Sequence, residues 1–337
     1  MSLLEVASLS VSYQTRRGNV RAVNDVSFEL ERGRCLGIVG ESGSGKTQTC
    51  LAIAGLLSAD AAVSGSVRFQ GRELVGASRR TFNELRGKDI AMVFQDPMTA
   101  LTPHLTVGSQ LCEVLKVHEG TRGTAARRRA LEIMERVRIA DPERRFDMYP
   151  FELSGGMRQR VMIALALILR PALVLADEPT TALDVTVQAE VISTFRAVIE
   201  HTGTSLLLVT HDLGVVAGLC DSVMVMYAGR TVEQAPANEI FAAPAHPYTR
   251  ALLECLPRTD RPRGARMISI AGQPPDLAAL PRGCAFAPRC TRADETCAER
   301  APVLEACGPQ RTVACLHAED SSSAAASSGA SPSGVAS

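Results

Sequence analysis

The chain has no tryptophan, and aromatic residues make up only 4% of it. That scarcity argues against a base-stacking platform for nucleic acid. Excess charge is missing too: 36 basic residues meet 36 acidic ones, which leaves no electrostatic footprint for DNA or RNA. The basic run Arg127-Arg128-Arg129 leads into Ala130, Ile133, Met134 and Val137 at helical spacing, so it reads as the solvated edge of an amphipathic helix. Long apolar stretches are absent. The longest run, Val161 to Leu169, is far shorter than the ~20 residues that span a bilayer. The opening MSLLEVASLS lacks the basic start and cleavage site of a secretory leader, so a cytosolic protein is expected. No sustained heptads appear, which disfavours a long coiled coil.

What is present is concentrated in short motifs. Gly40 to Thr47 reads GESGSGKT and fits G-x-x-x-x-G-K-[ST], the loop that wraps nucleotide phosphates. The apolar run Cys35 to Val39 before it reads as a buried strand, and TQTCLAIAGLL after it as a helix. The unpaired N–H groups of the helix start suit phosphate oxygens. Gly40, Gly43 and Gly45 permit the tight turn, and Ser42 and Ser44 lie between them in the same cradle. Lys46 supplies a point charge to the outer phosphates, and Thr47 a hydroxyl for Mg²⁺. Ala172 to Asp177 reads as a buried parallel strand ending in the carboxylates of Asp177 and Glu178. Asp177 is placed to hold Mg²⁺, and Glu178 to polarise an attacking water. Leu153-Ser154-Gly155-Gly156-Met157 opens another helix, a second phosphate-friendly N-terminus.

With LSGG upstream of Asp177-Glu178, the chain resembles the ABC-type ATPases. The family's other motifs follow in order: Tyr13 in VSY, the adenine-stacking aromatic; Gln95 in VFQDP, the Q-loop; Asp184 in TALD, the D-loop; and His211 after the apolar run Leu206 to Val209, the switch histidine. The resemblance implies an α/β fold, with a RecA-like P-loop NTPase core, an antiparallel β-subdomain and a helical insert. It implies that Ser154, Gly155, Gly156 and Asp184 serve ATP at a head-to-tail interface with a second nucleotide-binding domain. Glu178 and His211 would act on the water. Gln95 would sense the γ-phosphate and join Thr47 and Asp177 around Mg²⁺. The expected parts are residues 1–255 as the nucleotide-binding domain, with its insert at about 96–165, then a Cys-containing extension at 256–318 and a disordered tail at 319–337.

Finer resemblance is to the peptide/nickel importer ATPases. Asp96 to Pro103 (DPMTALTP) is similar to their DPMTSLNP stretch, and His246 to Leu253 (HPYTRALL) to an element just beyond their core. The implied function is ATP hydrolysis that powers di- or oligopeptide import. The implied partners are two membrane permeases, a second ATPase, expected to be a paralogue, and an extracytoplasmic binding protein. The same family also imports nickel and other small solutes. A soluble ABC ATPase acting on DNA or ribosomes is the rival from another class.

Cys35, Cys50, Cys112, Cys220 and Cys255 are scattered among apolar residues and read as small buried hydrophobes. Cys284, Cys290, Cys297, Cys307 and Cys315 are clustered. A cytosolic setting disfavours disulfides, and the spacing lacks the C-x₂-C pairs of common zinc sites. On spacing alone, metal ligands and unliganded thiols stand level. The importer resemblance matches Cys284, Cys290, Cys297 and Cys315 to a four-cysteine pattern that in some members holds a [4Fe-4S] cluster. Zinc is the alternative, since tetrathiolate sites suit either metal. Cys307 is the extra thiol.

Overall fold

The computed structural model describes residues 2–16, 18–180, 184–256 and 269–318. In chain order its strands are β1 (Ser2–Thr15), β2 (Gly18–Glu31), β3 (Cys35–Val39), β4 (Ala61–Phe69), β5 (Arg72–Glu73), β6 (Ile90–Val93), β7 (Leu173–Asp177), β8 (Ser205–Thr210), β9 (Ser222–Tyr227), β10 (Arg230–Pro236), β11 (Glu305–Gly308) and β12 (Arg311–Val313). Its helices are α1 (Lys46–Ala54), α2 (Arg79–Leu85), α3 (Pro97–Ala100), α4 (Val107–Glu119), α5 (Gly123–Arg136), α6 (Pro142–Phe146), α7 (Gly155–Leu167), α8 (Val185–Thr202), α9 (Leu213–Leu219), α10 (Ala237–Ala242), α11 (Pro247–Glu254) and α12 (Glu295–Glu299). The expected tail, 319–337, lies outside the described residues, as do Thr181 to Leu183 of the D-loop.

An antiparallel sheet, ordered β2-β1-β4-β5, stands beside an eight-stranded sheet ordered β11-β12-β10-β9-β3-β8-β7-β6. In the larger sheet β9, β3, β8, β7 and β6 run parallel. Both faces of these strands are covered, which is why they read as unbroken apolar runs. Strand alternation splits their side chains between two cores. Leu36, Ile38, Leu175, Leu207 and Met224 pack with α1 and the small sheet. Cys35, Val39, Val174, Leu208 and Val225 pack with α4, α5, α7 and α9.

The alternating segments Val20–Val23 and Val26–Leu30 prove to be one strand, β2. Asp25, at φ 60, interrupts the alternation, and the β1–β2 register shifts nearby between Leu9↔Val26 and Val11↔Val23. A bulge of this kind lets a single strand change which face it buries. Cys35, Cys50 and Cys220 are buried as expected, whereas Cys112 and Cys255 are only half-buried.

The last described strands belong to the larger sheet. β12 pairs with β10 through Glu233↔Val313, and β11 pairs with β12. Glu233, fully buried, accepts from the backbone N–H groups of Ala245 and His246 at 2.8 and 2.9 Å, and from Arg311 at 2.6 Å. His246 caps α11: its Nδ1 accepts from the Tyr248 N–H at 3.0 Å, and the ring also bonds to the Ala314 backbone. One neutral tautomer satisfies both partners, while a second proton would turn Nδ1 towards another donor. Burial pushes the His246 pKa down to about 4, against the pull of Glu233.

In this structure the unfolded chain therefore binds the additional proton between about pH 6.5 and 4, and stability falls as pH drops through that window. The shift corresponds to roughly 3 kcal/mol. His246→Asn retains a capping oxygen and should remove this component, so urea midpoints at pH 5 and 7 should differ less than in wild type.

Candidate functional site

The parallel strands aim their C-terminal ends at one place, as open α/β sheets do at their ligand sites. β3 lies between β8 and β9, with β7 one strand further. Gly40 to Thr47 follows β3, Glu178 follows β7 and His211 follows β8. The loop has little room. A Cβ on Gly40 would lie 2.3 Å from the Met226 carbonyl oxygen, and one on Gly45 2.4 Å from that of Ala22. Gly45 also holds φ 101 at the N-cap of α1, a conformation natural to glycine. Gly43 has φ 79 but open space around its missing side chain.

Lys46 is buried, and its Nζ donates to the carbonyl oxygens of Gly40 and Glu41, both at 2.8 Å, and to Ser44 Oγ at 3.4 Å. Burial pushes its pKa down while Glu178, Asp177 and Glu41 pull it back up. The Thr47 hydroxyl donates to Asp177 Oδ1 at 3.0 Å. Burial raises the Asp177 carboxyl, and Thr47 and Lys46 oppose the shift. A buried carboxylate beside a hydroxyl fits a hard cation that takes oxygen ligands, which is the donor set of Mg²⁺.

Glu178 is the meeting point of the next group. Its Oε2 accepts from Gln95 Nε2 at 3.2 Å and lies 3.2 Å from His211 Nδ1. Its backbone holds φ 47, sparsely populated for a residue with a side chain. A hydrogen bond from its N–H to the Val209 carbonyl, 2.8 Å, fixes that turn. Tyr13 lies at the other side of the loop helix, its hydroxyl donating to Gln48 Oε1 at 2.5 Å. The structure thus gathers Gly40, Ser42, Gly43, Ser44, Gly45, Lys46, Thr47, Gln95, Asp177, Glu178 and His211 at one sheet edge.

Ser154, Gly155, Gly156 and Asp184 make a second group. Ser154 caps α7, accepting from Met157 N–H at 3.4 Å, and Asp184 caps α8, accepting from Val187 N–H at 2.9 Å. Ser154, Gly155 and Asp184 are exposed. The two caps are neighbours, since a Cβ on Gly156 would sit 2.5 Å from Val187. Among the described residues no hydrogen bond joins Ser154, Gly155 or Gly156 to the phosphate loop. Gln188 on α8 donates to Asp212 Oδ2 at 2.5 Å, which connects this group to the residue after His211.

Glu41 occupies a variable position of the loop pattern, which assigns it no role. The Tyr248 hydroxyl accepts from the Glu41 N–H at 2.8 Å, and Arg289 pairs with its carboxylate at 2.6 and 3.0 Å. The HPYTRALL resemblance covers Tyr248 but carries no hint of a contact with the loop.

Cys284, Cys290, Cys297 and Cys315 line one cavity of about 20 Å³ together with His246, Phe286 and His317. Cys307 lies apart from it on β11. Burial raises the thiols of Cys284, Cys297 and Cys315. Among the described residues, no three of these thiols come within 4.8 Å of one another, whereas ligand atoms of Asp294, Cys297 and His317 do.

Two family models match the sequence: ABC transporter over residues 23–181, and oligopeptide/dipeptide transporter, C-terminal region, over 232–297. The chain is 51% identical to the oligopeptide transport ATP-binding protein OppD of Salmonella typhimurium, covering 93% of each chain. It is 48% identical to a probable peptide ABC transporter ATP-binding protein of Sinorhizobium fredii, over 94% of this chain and 96% of that one. The fold is similar to the dimeric bacterial ABC transporter cassette MJ0796, solved also with ADP and phosphate bound. The TM-score is 0.63 at 26% identity, covering 69% of this chain and 98% of that one.

Crowding at the loop gives a ranked expectation. Gly43→Ala should cost about 1–2 kcal/mol, the penalty of a left-handed backbone alone. Gly45→Ala adds a backbone clash and should cost more than ~3 kcal/mol. Urea unfolding of both variants checks the order.

Proposed function

This chain belongs to the ATP-binding subunits of ABC transporters, and from that membership we propose that it is the ATP-hydrolysing subunit of an oligopeptide importer. The observation that carries the enzymatic part is the convergence of Gln95 and His211 on Glu178, next to the Thr47–Asp177 pair. The peptide cargo rests on near-full-length likeness to oligopeptide ATP-binding proteins and on the matching C-terminal region. Those same likenesses favour peptide over nickel or other small solutes, and over a soluble ATPase of DNA or ribosomes.

ATP is the substrate. Gly40 to Thr47 receive its phosphates, with Lys46 turning from the loop carbonyls to the outer oxygens. Tyr13 supports the adenine by stacking. Thr47 and Asp177, with Gln95 close by, would hold Mg²⁺, which supplies positive charge to the β- and γ-phosphate oxygens. Glu178 takes a proton from the water as its oxygen bonds to the γ-phosphorus and the bond to the β–γ bridging oxygen breaks. Gln95 and His211 fix the direction of that carboxylate. Ser154, Gly155 and Asp184 face outward and, with Gly156, would serve nucleotide on a second ATPase, expected to be a paralogue. The insert carries closure to two permeases fed by an extracytoplasmic binding protein. No described helix is long and apolar enough to cross a membrane, which suits a peripheral place on the cytoplasmic face.

The Cys284, Cys290, Cys297 and Cys315 set is proposed to hold a [4Fe-4S] cluster as a structural staple. A tetrahedral zinc with bonds of ~2.3 Å would draw all its sulfurs within about 4 Å of each other. What supports a single shared group is that all four cysteines line one cavity. Zinc on Asp294, Cys297 and His317 is the reading that their proximity favours instead.

Glu178→Gln should bind ATP yet hydrolyse it at least ~100-fold more slowly, the scale of a lost general base. Cells carrying it should lose uptake of a labelled oligopeptide. Near-normal ATPase activity would remove Glu178 from that role. For the thiols, anaerobically purified protein should contain iron and acid-labile sulfide in equal amounts, lost in Cys290→Ser. Zinc without sulfide would favour the Asp294 set if it is retained in Cys290→Ser, and zinc on the four cysteines if it is lost there.

A further inference from the structure

Glu41 is held at every polar group it has. Its N–H donates to Tyr248, its carbonyl accepts from Lys46, and its carboxylate takes both arms of Arg289. Arg289 is itself almost fully enclosed, its side chain 4% exposed. It donates further to the carbonyls of Ala271 at 2.9 Å and Ile270 at 3.4 Å, and to the Tyr227 hydroxyl at 3.3 Å. Tyr227, Tyr248 and Phe286 pack around it, with ring centroids 4.6 to 5.3 Å apart. A planar fork buried among aromatics and gripping one carboxylate with two bonds has a single orientation.

We propose that Arg289 is a positioning residue for ATP binding, through which the C-terminal extension sets the shape of the phosphate loop. Orienting Glu41 orients the Gly40 and Glu41 carbonyls that hold Lys46 Nζ. Without the clamp, the start of the loop is free to sample other turns, and the entropy of ordering it falls on nucleotide binding. The extension is then part of the ATP site, although it touches no nucleotide. The proposal rests on the ATP-binding reading above.

The test is equilibrium binding of Mg·ATP to the full chain in a Glu178→Gln background, with KM and kcat measured without that change. Arg289→Gln should weaken ATP binding and raise KM about tenfold, the scale of one lost charge-assisted contact, with kcat within about threefold. Arg289→Lys, which keeps the charge but not the fork, should fall between. Glu41→Gln removes the partner from the loop side and remains informative if Arg289→Gln fails to fold. The double variant should bind no worse than the weaker single one, because both changes break the same contact. Arg300→Gln, an exposed charge loss in the same extension, should bind as wild type. A lower melting temperature with ATP affinity within twofold of wild type, in both Arg289→Gln and Glu41→Gln, would overturn the proposal and leave Arg289 a structural residue. Failure of wild type itself to bind ATP, with Lys46→Ala no different, would instead overturn the ATP-binding reading.

Discussion

The phosphate loop is pressed between two backbones, and much of the molecule is arranged around that fit. The carbonyl of Ala22, from the small antiparallel sheet, bounds it on one side at Gly45, and the carbonyl of Met226, from β9, bounds it at Gly40. Neither position has space for a methyl group. The two walls are also bonded to each other and to the loop: Asn24 N–H donates to Gly229 and Gly229 N–H to Ser44. The two sheets therefore cannot shift relative to one another without deforming the loop, and close-packed interiors resist such deformation.

Charge within this fit is unbalanced in a useful way. Lys46 is buried with carbonyl partners, Asp177 is buried with a hydroxyl, and Glu178 is mostly enclosed beside an amide and an imidazole. Burial disfavours the ionised forms of Lys46 and Asp177. A phosphate chain with its cation would return to each of them the opposite charge that burial took from water, so binding and ionisation reinforce each other.

The motifs at the sheet edge were legible because each is a local device. A strand, a turn and a helix start fall within a few residues, and their chemistry is set by neighbours in sequence. The parallel strands were equally plain as apolar runs such as Leu173 to Ala176. Contacts across the chain left no such trace. Arg289 meets Glu41, and Arg311 meets Glu233, from a coil-rich segment without periodicity. Nothing in the local residue order distinguishes these arginines from solvated ones. The return of β11 and β12 to the sheet was hidden for a related reason: strands of four and three residues are too short to carry a pattern. The bulge at Asp25 split one strand into two apparent ones because periodicity reports side-chain direction, and the bulge changes it.

Gly156 and Val187 touch where no Cβ would fit. The start of α7 and the start of α8 are therefore a single mechanical unit, though the residues between them include a whole strand of the central sheet. A line of contacts runs from the Ser154 cap to the Asp184 cap, and through Gln188 and Asp212 it ends beside His211. Two exposed caps and the end of β8 therefore share one unbroken set of contacts, so a substitution at Val187 would be felt at all three.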